Sequence, residues 1–209
     1  MSVSTANLWD TEAAKDIARE IATIQRVYCG PAVVGWIAAV WNHHVGRPYD
    51  YMKRLQDKKL FPDGPRDFTG AINLPKFQTS LKSILMRETE NELSFSEDTH
   101  YRYGTIHDQL EEHDMPIVIR MHGPEFSDGL HYVTLYKSEK QVRPWKLDLV
   151  KFYWQDNGVY GSRNGGNGGL YATEWREVGE NVFTFGAKPI AKTLLGFFRE
   201  TRKAGAVAP

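Results

Sequence analysis

Between Ala32 and Trp41 the chain runs Ala-Val-Val-Gly-Trp-Ile-Ala-Ala-Val-Trp, apolar or small at every position. Its helix-type pattern, Val33, Val34, Ile37, Ala38 and Trp41, leaves no polar face, so a helix here must be covered on all sides. Everything else in the chain has to supply that cover. Pro31 suits the first turn of such a helix, where its missing N–H removes no bond. The helix should end within 42–46. An amphipathic helix is expected before it, over 10–25, with Asp10 as N-cap, Glu12 in the first turn, and Ala14, Ile17, Ala18 and Ile21 on its apolar side.

The rest is less regular. Residues 47–103 carry turn chemistry at Arg47-Pro48 and at Phe61-Pro62-Asp63-Gly64-Pro65, with one helical stretch over 77–86. A short helix is expected over 104–113. Strand-like runs follow at 116–121, 130–136, 145–154, 170–178 and 182–185. Pro189 should open a closing helix, with Ile190, Leu194, Leu195, Phe197 and Phe198 on its apolar side. The glycine-rich stretch 161–169 cannot pack a core and should be a mobile surface loop. Helices first, antiparallel strands second, and a final helix make an α+β arrangement rather than alternating βαβ units. One domain fills 1–209: helices over 1–46, an insertion of unknown role over 47–103, a sheet over 104–187, and a helix with tail over 188–209.

Lys+Arg and Asp+Glu both number 26 in 209 residues. That balance gives no global attraction to nucleic acid or anionic lipid, and no apolar run is long enough to span a bilayer. A single cysteine excludes an internal disulfide framework. The first ten residues lack the apolar core of a signal peptide. The chain is therefore expected in the cytoplasm of the cell that makes it, and any export would use a route without a cleaved signal.

The lone Cys29 is expected at the start of the apolar helix. A helix start offers unpaired N–H groups and a positive dipole end, which favour a thiolate and can hold an oxyanion. A free cysteine is also commonly just a small buried hydrophobe. His131 opens the run His131-Tyr132-Val133-Thr134-Leu135-Tyr136, and alternation sets it on one face with Val133 and Leu135. It follows 123–129, rich in turn residues. A sheet-end histidine satisfied by its neighbours fits the pattern as well.

Tyr28-Cys29-Gly30-Pro31-Ala32 and its apolar helix resemble the nucleophile segment of papain-like cysteine peptidases. The nearest likeness is the branch that trims bacteriocin leader peptides, where Cys-Gly-Pro-Ala is usual. Leu110-Glu111-Glu112-His113-Asp114-Met115-Pro116-Ile117-Val118-Ile119-Arg120 and Gly129-Leu130-His131-Tyr132-Val133 resemble that branch in the same order. The likeness covers about half the chain, and 47–103 lie outside it. It implies a papain-like α+β fold, Cys29 as nucleophile, His131 as base, and a third residue that orients the imidazole. Asp156, ending a strand before Asn157-Gly158, takes that role; Asp148 has the same strand parity and is the alternative, with Asn157 a third option. Gln25 corresponds to the oxyanion-hole glutamine, though it stands closer to the cysteine than in the family.

The reaction so implied is cleavage of an amide bond through an acyl-enzyme, with no cofactor. The substrate is a peptide or protein, or, for a bacterial effector toxin, a peptidoglycan stem peptide or a protein side-chain amide. A toxin would be matched by an immunity or inhibitor protein. A binding module that keeps the fold without the chemistry is the remaining alternative. Zinc is disfavoured: His43-His44 are adjacent, and His107 and His113 form no His-Glu-x-x-His pattern. The glycine stretch lacks the Gly-Lys-Ser/Thr of a phosphate loop.

Overall fold

A computed structural model of the chain describes residues 8–24, 29–56, 74–98, 106–108, 110–111, 116–121, 131–141, 144, 149–155, 170–179, 182–185, 188–189 and 197–202. Within these residues the fold is α+β, as expected: helices as far as Glu88 and one antiparallel sheet from Leu93 onward.

A single 3-10 turn, Leu8–Asp10, leads into α1 (Glu12–Thr23). The N-cap is Thr11 rather than Asp10, whose carboxylate instead takes Lys15 at 3.4 Å and Lys137 at 3.1 Å. Thr11 can replace it because its hydroxyl accepts from the Ala14 N–H at 3.2 Å, satisfying one of the orphan donors of the first turn. Helix α2 (Cys29–His44) is buried from Gly30 to Asn42. Its Trp36 indole donates to the Ala14 carbonyl at 2.9 Å and packs against Trp9 and Tyr136, with ring centroids 5.8 and 5.7 Å away. Helix α3 (Tyr51–Gln56) lays Leu55 on Gly35, where any added Cβ would meet the Leu55 side chain at 3.1 Å. Helix α4 (Leu74–Glu88) is longer at both ends than the apolar spacing predicts.

The described strands are β1 (Leu93–Asp98), β2 (Ile117–Met121), β3 (His131–Gln141), β4 (Leu149–Gln155), β5 (Leu170–Gly179), β6 (Val182–Phe185), β7 (Lys188–Pro189) and β8 (Phe197–Arg202). They form one sheet in the order β1-β8-β2-β3-β4-β5-β6-β7. From β2 to β7 each strand pairs with the next, while the last strand inserts between the first and the second.

That insertion corrects one expectation. A closing helix was expected over 188–209, but the described residues there, 188–189 and 197–202, are strands: Phe197 and Phe198 lie in β8, which pairs with β1 along all six residues and with β2 at Ile117–Ile119. Aromatic residues tolerate either state, and two strands lacking a partner decide it. Strand β1 also lay in a stretch where the sequence showed no strand. The expected loop at 161–169 lies outside the described residues.

The ladder sorts the sheet into two faces. Opposed residues share a face, so Val118, Thr134 and Gln155 go together, as do Ile117 with Leu135 and Leu135 with Trp154. Leu93, Phe95, Val118, Tyr132 and Tyr136 join α1, α2 and α4 in one apolar cluster. Ile117, Ile119, Val133, Leu135, Phe152 and Trp154 are buried on the other side. Between Leu135 and Lys137 the register shifts, which sets both Tyr136 and Lys137 against Tyr153. This bulge turns Lys137 toward the helices, where it reaches Asp10.

Candidate active site

Cys29 is the first residue of α2, a free, half-buried thiol touching the helix-side cluster. The sequence explains the position. Gly30 and Pro31 pack without bulk, Pro31 fixes φ for the first turn, and the following apolar residues draw the helix into the core. The opening N–H groups of a helix have no partner within it, and Pro31 contributes none, so the Cys29, Gly30 and Ala32 amides bound the polar end. Gln25 falls outside the described residues.

His131 is the first residue of β3 and pairs with Met121. Its alternation is that of Val133 and Leu135, which are buried away from α2. The imidazole itself is outside the described residues.

Asp148 and Asp156 bracket β4, and neither is described. Gln155, which precedes Asp156, pairs with Thr134, three positions from His131. Leu149, which follows Asp148, pairs with Gln141, ten positions from His131 and so about 33 Å along the strand.

Three features were not anticipated from the sequence. His107 Nδ1 lies 2.8 Å from Ser138 Oγ. Ser138 pairs with Phe152, so this contact is on the face away from α2. Thr134 and Gln155 are buried polar residues on the helix side; their signal was a polar residue in an otherwise apolar alternation. At the far end of α2 lies a dense polar network. Asn42 Nδ2 donates to the carbonyls of Ala38 and Glu88 at 2.7 and 2.9 Å, and its Oδ1 accepts from Arg47 at 2.8 Å. The Glu88 side chain, 1% exposed, takes Tyr49 at 2.9 Å, Arg54 at 3.1 Å and Arg87 at 2.7 Å. Burial, then the Glu88 charge, pushes the Tyr49 phenol far above its ordinary value. Glu92 accepts from the Trp41 indole and from Arg47, and these bonds hold its carboxyl below the usual range.

His43 and His44 sit exposed in the last turn of α2, about 21 Å from Cys29 along the helix. Among the described residues no three His, Cys, Asp or Glu side chains gather as a metal site, and no helix is long and apolar enough to cross a membrane. Comparison with models of known protein families, with curated proteins and with solved structures finds no match to this chain.

Proposed function

We propose that the chain is a papain-like cysteine hydrolase that cleaves amide bonds in a peptide or protein. One observation carries the reading: the only cysteine is the part-exposed first residue of a helix otherwise buried as far as Asn42. A thiol so placed meets solvent on one side and unpaired backbone amides on the other. The β3–β4 register favours Asp156 over Asp148 as the residue that orients His131, because it sets the Gln155 end of β4 beside the start of β3.

In this mechanism the Cys29 sulfur, its proton held by His131, adds to the carbonyl carbon. The oxyanion is held by the amides at the start of α2, and Gln25 is the proposed side-chain donor. The C–N bond breaks as His131 passes its proton to the leaving amine. Water then adds to the thioester, giving its proton to the imidazole. Loss of the carboxylic acid regenerates the thiol. Incubation with a denatured protein and with muropeptides, followed by mass measurement, tests the substrate. Cleaved protein supports the peptidase, whereas cleaved stem peptides or a deamidated product point to an effector toxin. No product from any of them, with wild-type protein, rejects the hydrolase.

The alternation at position 131 favours a second reading, a binding module without the chemistry. Alkylation separates the two. A nucleophilic Cys29 reacts with iodoacetamide faster in the native protein than in the urea-unfolded one, and a merely packed thiol reacts only after unfolding.

A further inference from the structure

Among the described residues, Thr134 Oγ1 and both amide atoms of Gln155 are buried with no hydrogen-bond partner, and both residues are 0% exposed. They are directly opposed in the β3–β4 ladder, on the face turned to the helices. Opposed side chains of this kind are near neighbours, yet hydroxyl and amide do not bond to one another. Leaving three such atoms dry is strongly unfavourable, so a native fold supplies them with a partner.

We infer that Thr134 and Gln155 hold one internal water molecule that bridges strands β3 and β4 and locks their register. The stoichiometry fits. A buried water typically makes about three hydrogen bonds to groups otherwise unsatisfied. The oxygen of a primary amide and the N–H cis to it point the same way. One water therefore accepts from Gln155 Nε2, donates to Gln155 Oε1 and donates its second proton to Thr134 Oγ1.

The location gives the water a task. The bulge between Leu135 and Lys137 follows immediately, so the ladder on the His131 side is separated from the longer run beyond it. Among the described residues two pairs, Thr134 with Gln155 and Leu135 with Trp154, hold that side. A slip of one residue there would send Trp154 to the helix face. A polar pair that is satisfied in one register alone opposes the slip. This role goes beyond the hydrolase reading and stands whether or not Cys29 is a nucleophile.

A ligand-free crystal structure at high resolution, with amide hydrogen exchange on wild type and Thr134→Val, tests it. The expected map has one peak about 2.6–3.2 Å from Thr134 Oγ1, Gln155 Nε2 and Gln155 Oε1. Thr134→Val keeps the shape and removes one partner, so exchange at 133–135 and 153–155 should quicken about tenfold. Exchange in the β4–β5 ladder at 150–152 should stay unchanged. An empty gap, a direct Thr134–Gln155 hydrogen bond, or unaltered exchange at 133–135 and 153–155 overturns the inference.

Discussion

The far end of α2 and the sheet beneath the helices treat buried polarity in opposite ways. Around Asn42 and Glu88 each buried polar side chain has partners: two carbonyls and a guanidinium for Asn42, a phenol and two guanidinium groups for Glu88. At Thr134 and Gln155 the polar atoms have no partner among the described residues. Polar networks that are fully satisfied rigidify and specify a core, whereas an unpaired buried polar group is costly. The His44 end of α2 is accordingly a clamp joining α2, α3, α4 and the start of β1. The strands nearer His131 rely on the inferred water for the same purpose.

The sharpest contrast is between activity and stability. Cys29→Ala should lower hydrolysis by at least about 10⁴-fold, as loss of a nucleophile does. The same change should move the midpoint of thermal unfolding by no more than about 2 °C, because the side chain is small and half-buried. Hydrolysis retained in the variant would remove Cys29 from the chemistry.

Glu88→Ala should do the reverse, leaving the thiol's reactivity in the folded protein intact while weakening the fold. It strips the buried carboxylate from Tyr49, Arg54 and Arg87. The arginines are 44% and 49% exposed and can rehydrate, so the expected loss is about 2–3 kcal/mol, at the low end for a broken buried pair. Denaturant unfolding measures it; a loss below about 0.5 kcal/mol would show that the network is not a clamp.

Acidification probes the same clamp. The Glu92 carboxyl is held low by its bonds from Trp41 and Arg47, so the unfolded chain binds this proton more readily than the folded one. Its stabilising share is complete above the ordinary carboxylate value of about 4.3 and is lost as pH falls through the lower folded value. Glu92→Gln should therefore flatten the fall in thermal midpoint below about pH 4.3 relative to wild type. Parallel curves would assign that fall to other carboxylates.

The smallest effect belongs to the exposed pair Arg19–Asp16, 2.6 Å apart with both side chains well exposed. Arg19→Ala should change stability by less than about 0.5 kcal/mol. Chemical denaturation of this variant gives the baseline against which the clamp is judged.

Local pattern carried α2 and the meander from β2 to β6, because a helix without a polar face and runs of β-branched and aromatic residues have one economical arrangement each. It misled over 188–209, where Ile190, Leu194, Leu195, Phe197 and Phe198 fall at helical spacing. The strand state of Phe197 and Phe198 depends on β1, a hundred positions earlier, which no window along the chain senses. Asp10 and Thr11 are both good caps, and only the approach of Lys137 from the sheet takes Asp10 away from that task. Of the site, the position of Cys29 at the helix start was legible. The pairing that separates Asp156 from Asp148 was not, since it depends on a register set by contacts between strands.

The insertion of β8 gives the molecule an order of assembly. During synthesis the ribosome releases α1 to α4 and β1 early, and the meander from β2 onward can zip up hairpin by hairpin. Strand β1 has no seat until residues 197–202 emerge, for its only neighbour among the described strands is β8. The nascent chain thus carries an open strand edge while about a hundred further residues are made, and a stop codon before position 197 would leave that edge permanently bare.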